Sequence, residues 1–315
     1  MQKGCKGMLV LGLALAMGMP GLGALAPPAA PVPVRMHHLV FHLGDGVTLG
    51  IDDLNGSLLS RTPGAIVSLD DVNGYTIEID KAQVAIPAES MENLLNRRVF
   101  GGEFTSGKTP VSRVRVTLSP GKLLLDGRLR KSVPVPFHLS ADVNVSADGM
   151  IHVHADQLKA AGVAPKGVLD FLGLKLQGMI KIDPASGVTI AGDDMILDPG
   201  LILPPPHVHG HLVRVTVIDG SMLEQYSPAS QAHAPLPAPA PTTESYIYLR
   251  GGRLHFGKLT MDNTDLLMLG PARGPFHFSP AHYNQQLTRG TTRVTPALGL
   301  VVHVPNYVEP AGAGR

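Results

Sequence analysis

VPFHLSADVNV, residues 135–145, alternates without a break. Val135, Phe137, Leu139, Ala141, Val143 and Val145 occupy the odd positions, and Pro136, His138, Ser140, Asp142 and Asn144 the even ones. A period of two sends successive side chains to opposite faces of a strand, so this strand has one apolar face and one wet face. That is the pattern of an antiparallel sheet solvated on one side. Outward from it, 112–118 places Val114, Val116 and Leu118 opposite Arg113 and Arg115, and 151–155 places Ile151, Val153 and Ala155 opposite His152 and His154. Asp148-Gly149 is a hairpin turn between 135–145 and 151–155, and Ser119-Pro120-Gly121 joins 112–118 to 122–130. Together these segments predict an antiparallel meander. Further upstream, Tyr75, Ile77 and Ile79 share a face, the phase changes near Lys81, and Val84 and Ile86 resume it, which predicts a bulge or bend.

Two short helices interrupt the strands. Pro87 suits a first turn, Glu89 its positive end, and Met91, Leu94, Leu95 and Val99 form one stripe, stopped by Gly101-Gly102. The second follows Pro165, with Val168, Leu169, Phe171 and Leu172 before Gly173. Neither falls in a regular β-α-β alternation, which argues against a parallel doubly wound sheet. The fold class is mainly β (α+β): a long curled antiparallel sheet with one or two short helices.

The 315 residues suffice for one large or two modest domains, and 44% apolar residues can fill a sizeable core. A formal net charge of +1 projects no field toward nucleic acid, and with 4% aromatics and no Trp there is little for base stacking or a sugar platform. Residues 1–26 have the layout of a secretory signal: Lys3 and Lys6, an apolar run from Met8 to Met19, then small residues at Leu22-Gly23-Ala24 and Ala24-Leu25-Ala26. The first site is favoured because Pro27 follows the second. The lone Cys5 lies inside this leader, so the exported chain would carry no thiol and no disulfide. Residues 27–34 read as a Pro/Ala spacer, 35–227 as the β-rich domain, 228–243 as a Pro/Ala linker and 245–308 as further strands that complete the sheet or form a small module.

Three stretches, IEIDKAQVAIPAESMENLL from Ile77, LLLDGRLRKSVPVPFHLSADVNVSADGMIHVHADQLKAAGVAPKGVLDFLGLKLQGMIKI from Leu123 and GVTIAGDDMILDPGLILPPP from Gly187, resemble in spacing and hydrophobic pattern the LmeA-like family of bacterial envelope proteins, within the tubular lipid-binding superfamily. The resemblance spans about half the chain, from Tyr75 to Tyr226, and ends at Pro228. It implies a curled sheet wrapped around a helix, an apolar groove for acyl chains and no enzymatic activity. A chain of about 16 carbons buried against aliphatic walls would gain roughly 12 kcal/mol gross.

The groove so implied would be lined by Met91, Leu94, Leu95, Phe137, Leu139, Val143, Ile151, Val153, Leu169 and Leu172. The partners expected are a lipid or other apolar ligand and a membrane surface, with no cofactor and no nucleic acid. An alternative is a structural or interaction subunit of an envelope assembly with a dry core. A second alternative is a periplasmic metal binder, in which His207, His209 and His211 converge on Zn²⁺ or Cu²⁺; His152, His154 and Asp156 form a second same-face set. Consecutive same-face strand residues lie about 6.5–7 Å apart, so either set needs help from another strand. Asp52-Asp53, Asp70-Asp71 and Asp193-Asp194 sit near Gly or Asn and read as turns. Arg97, Arg98, Arg113, Arg115, Arg128, Arg130 and Lys131 read first as a solvated face and second as a rim for lipid phosphates. Gly-x-Ser-x-Gly, phosphate-loop and His-Glu-x-x-His patterns do not occur.

Overall fold

A computed structural model describes residues 30–100, 111–129, 134–160, 187–191, 194–228, 234–239 and 245–309. The protein is mainly β; the described residues form three sheets and a few short helices, and among them no sheet closes into a barrel. Residues 1–26, read as a secretory signal, the second predicted helix with Leu169 and Leu172, and Gly101-Gly102 lie outside the described residues.

The main sheet grows from a long hairpin of β1 (Val32–Gly44) and β2 (Val47–Ser60). β4 (Tyr75–Pro87) pairs with β2, then β13 (Ser221–Tyr226) with β4 and β12 (Leu212–Ile218) with β13. Beyond β1 the order is β14 (Tyr246–Arg250), β17 (Asp265–Leu269), β20 (Leu300–His303) and β19 (Thr291–Val294). β14, β17, β20 and β19 thus extend the sheet that the N-terminal hairpin begins.

Bulges decide where strands change partner. In β1 the buried phase runs Val32, Val34, Met36 and then Leu39, Phe41, Leu43, shifted at His38, whose φ is 54°. Up to His37 the neighbour is β14; from Leu39 it is the parallel strand β18 (Phe276–Phe278). In β4 the phase shifts at Asp80, since Asn55 pairs with Lys81 and Gly56 with Ile79. Before that residue the neighbour is the parallel strand β11 (His207–Gly210), and after it β13. The extra residue expected near Lys81 is therefore present, and it marks a change of partner.

The second sheet is wholly antiparallel, ordered β5 (Val111–Ser119), β6 (Lys122–Leu129), β7 (Val135–Val145), β8 (Ile151–Ala160), β10 (Asp194–Leu197) and β9 (Val188–Ala191). The first four strands are the meander read from the alternation. Gly121 and Gly149, at φ +76° and +83°, occupy its turns, where a left-handed backbone suits glycine. A small third sheet holds β3 (Val67–Ser68), β15 (Arg253–Phe256) and β16 (Leu259–Asp262).

Helix α1 (Ala88–Leu94) passes into a π-helical turn, Leu95–Val99, and the stripe of Met91, Leu94, Leu95 and Val99 is buried as the periodicity predicts. Its polar residues tie it to the β1–β2 hairpin. The Ser90 hydroxyl accepts from the Thr48 backbone N–H at 2.9 Å, and Asn93 Nδ2 donates to the Gly46 carbonyl at 3.0 Å.

Two expectations are corrected. The spacer ends earlier than residue 34: Val32 and Val34 are 0% and 1% exposed inside β1, because their alternation with Pro31 and Pro33 continues the core phase of Met36. Asp52-Asp53 is not a turn but the middle of β2, where Ile51 pairs with Val84 and Asp53 with Gln83, leaving Asp52 as a bulged residue.

Candidate functional site

The apolar face of the meander is built from cross-strand rows. One runs Leu118, Leu123, Ala141, Ala155, and the next Val116, Leu125, Leu139. Nearer the β9 edge, one row runs Val143, Val153, Met195, Ile190 and another Val145, Ile151, Leu197, Val188. Facing pairs of this kind are the unit of sheet stabilisation, and here they form one uninterrupted aliphatic surface. Phe137 completes it by lying over Gly127, where an added Cβ would stand 2.5 Å from the ring.

The residues expected to line a groove divide into two groups. Met91, Leu94 and Leu95, at 6%, 2% and 1% exposure, are packed between the sheets and belong to the core. Phe137, Leu139, Ile151 and Val153 lie together on the meander face and are also buried, whereas Val143 is only partly buried, as are Met195 and Ile190 beside it. α1 and its π turn pack against β5, and β12 packs against β5 and β7. The aliphatic surface is therefore buried on both sides of the Val143, Val153, Met195, Ile190 row, in which Val143, Met195 and Ile190 are partly exposed and Val153 is not.

A small apolar cavity of about 20 Å³ lies in the main core, among Met36, Phe41, Tyr75, Met268 and Phe278. It is room for about one water molecule. A much larger groove, about 680 Å³, opens on the outer side of the main sheet. Its walls mix charged and apolar groups, among them His38, Asp52, Gln83, Arg214 and Leu223. The sequence gives little sign of it, because it arises from the sheet's bulges and not from a local motif.

The histidines do not converge as the metal reading requires. His207 and His209 sit two apart in β11, but His209 Nδ1 is 2.8 Å from Glu78 Oε1, and His207 lies near Arg61 and Arg98. Burial first, then those guanidinium charges, lowers the His207 pKa, an environment hostile to a cation. His211 lies past the end of β11, beside the turn at Gly149. In the second set, His154 pairs with Asp194 at 2.8 Å and Asp156 with Lys122 at 2.6 Å. Among the described residues no group of three or more His, Cys, Asp or Glu is placed to hold a metal ion.

Two titratable clusters escaped sequence reasoning. Glu224 is 3% exposed on the inner face of β13, where Met222 and Tyr226 share its phase, and the Tyr226 hydroxyl donates to Glu224 Oε2 at 2.8 Å. Burial pushes its carboxyl up to about 7. A carboxylate on the apolar phase of a strand was the available signal. The other cluster joins His42 and His277, whose Nε2 and Nδ1 lie 3.1 Å apart. Burial, and then the neighbouring His277, lowers His42 to about 4.

No helix among the described residues is long and apolar enough to cross a membrane. Comparison with protein-family models, curated proteins and solved structures finds no match to this chain.

Proposed function

We propose that this is an exported, non-enzymatic protein of the cell envelope that binds a lipid or similar apolar ligand along the aliphatic face of its meander. The carrying observation is the row Val143, Val153, Met195, Ile190, three of whose members are partly exposed within an otherwise buried aliphatic surface. An acyl chain laid along it would gain about 0.8 kcal/mol for each methylene removed from water. Phe137, Leu139 and Ile151 would form the inner wall, and Val143, Met195 and Ile190 the mouth. Met91, Leu94 and Leu95 would support the wall from behind without touching ligand.

Native mass spectrometry of protein purified from its own membranes tests this directly. The expected result is bound lipid in the wild type and its loss in Met195→Glu. Lipid-free protein that also takes up no fluorescent fatty acid from vesicles would overturn the reading.

The groove on the outer face favours a second reading, an interaction subunit of an envelope assembly. Its mixed walls suit a polar partner better than an acyl chain. A partner whose capture is lost in Arg214→Glu and retained in Met195→Glu would support that reading over the first.

A further inference from the structure

We propose that His42 and His277 form a chelating site for a divalent transition metal, with Cu²⁺ preferred to Zn²⁺. The site is created by the partner change in β1. Past the bulge at His38, β1 runs parallel to β18 with Val40 opposite His277 and Phe41 opposite Phe278. His42 follows two residues after Val40, on the same outward face, and its Nε2 comes 3.1 Å from His277 Nδ1.

Metal–imidazole bonds of about 2.0–2.1 Å place two ligand nitrogens ~2.9 Å apart at a right angle and ~3.3 Å apart at the tetrahedral angle. The observed separation falls between those values; with ring centroids 5.3 Å apart the two imidazoles face each other nearly end to end, so a metal ion replacing the shared proton would require each ring to turn its lone pair off the N···N line. Each ring needs one free lone pair, which requires only a change of tautomer in one of them.

The surroundings brace the His42 ring and the His277 backbone. Tyr307 packs edge-on to His42 at a centroid distance of 5.1 Å and stacks on His282 at 5.1 Å. His282 Nδ1 lies 3.1 Å from Ser279 Oγ, and the His277 backbone N–H donates to Asn306 Oδ1 at 2.9 Å. Such bracing lowers the cost of ordering ligands on binding.

The described residues bring no third His, Cys, Asp or Glu to this pair. The remaining coordination positions would therefore belong to water or an external ligand. That makes the site exchangeable, unlike a closed structural zinc centre, and leaves selectivity to the intrinsic order of metal affinities, in which Cu²⁺ stands above Zn²⁺.

Calorimetric titration of the full chain with Cu²⁺ and Zn²⁺ tests the assignment, using the wild type, His42→Gln, His277→Gln and His209→Gln. The expected result is one tight equivalent of Cu²⁺, weakened about tenfold or more in either of the first two variants and unchanged in the third. Electron paramagnetic resonance of the wild-type Cu²⁺ form should show two nitrogen ligands, a readout that does not depend on any variant folding. Binding no tighter than millimolar in the wild type, wild-type affinity in both pair variants, or a loss confined to His209→Gln would each overturn the proposal.

Discussion

The side-chain amide of Asn96 pairs with the backbone of Val114 as a neighbouring strand would. The Val114 N–H donates to Asn96 Oδ1 at 2.9 Å, and Asn96 Nδ2 donates back to the Val114 carbonyl at 2.6 Å. One turn earlier, Glu92 Oε2 accepts from the Val116 N–H at 3.1 Å. β5 is an edge strand, and an unpaired edge is a template for aggregation. The helical segment thus covers that edge with side chains at the point where Arg113, at φ 54°, breaks the regular strand.

Asn96→Ala should therefore cost about 2 kcal/mol, because it strands a donor and an acceptor on Val114, which is 2% exposed. Asn96→Asp keeps the acceptor and should fall between the two. Urea unfolding of the three proteins would show it, with aggregation of the Ala variant as a second sign of the opened edge.

Two glycines should respond differently to alanine. At Gly56 an added Cβ would clash with the Glu78 backbone carbonyl, and backbone in a bulged pair cannot swing aside. Gly56→Ala should prevent stable folding. At Gly127 the obstacle is the Phe137 ring, a side chain, and the cost should be about 1–3 kcal/mol. Phe137→Leu should recover part of that loss, a coupling that a double-mutant cycle of thermal midpoints would measure.

Local periodicity, of two in the strands and of the helical stripe in α1, made the meander, α1 and the Asp80 bulge legible, because each leaves its mark within a dozen residues. The same rule failed where composition masked it: Pro31 and Pro33 hid Val32 and Val34, and the acidic pair Asp52-Asp53 hid a bulge inside β2. Pairing across long separations was not legible at all. Nothing near Tyr246 announces that it will pair with His37, and the parallel contacts of β11 and β18 exist only because bulges elsewhere release an edge. The candidate face was readable as a row of apolar residues on β7 and β8. Its continuation through Met195 and Ile190 depends on β10 and β9, which are too short to show a period.

Glu224 gives the protein a pH dependence of known sign. Its carboxyl titrates near 7 when folded and near the ordinary 4.5 when unfolded, so between those values the native state binds the extra proton. Stability should then fall as pH rises from about 4.5 to 7 and level off above, by an amount on the order of 3 kcal/mol. His42 titrates in the opposite sense, losing stability as pH falls from 6.5 toward 4, so the wild-type profile alone mixes the two. Glu224→Gln keeps an acceptor for the Tyr226 hydroxyl and removes the charge. Its advantage over the wild type should be small at pH 5 and largest at pH 8, measured by urea unfolding at each.

Stability and ligand binding should separate at the boundary between core and mouth. Leu95 is 1% exposed in the packed half, and Leu95→Ala should cost about 2–5 kcal/mol through the cavity it leaves. It does not touch the proposed chain, so the protein that remains folded should retain its lipid. Met195 lies on the partly exposed row, and a carboxylate there should shift stability by only about 1 kcal/mol, since it can reach water. It would nevertheless place a charge against an acyl chain, and native mass spectra should show the folded variant empty. If lipid were instead lost in Leu95→Ala and kept in Met195→Glu, the ligand would lie against α1, and the row Val143, Val153, Met195, Ile190 would be sheet surface without a binding role.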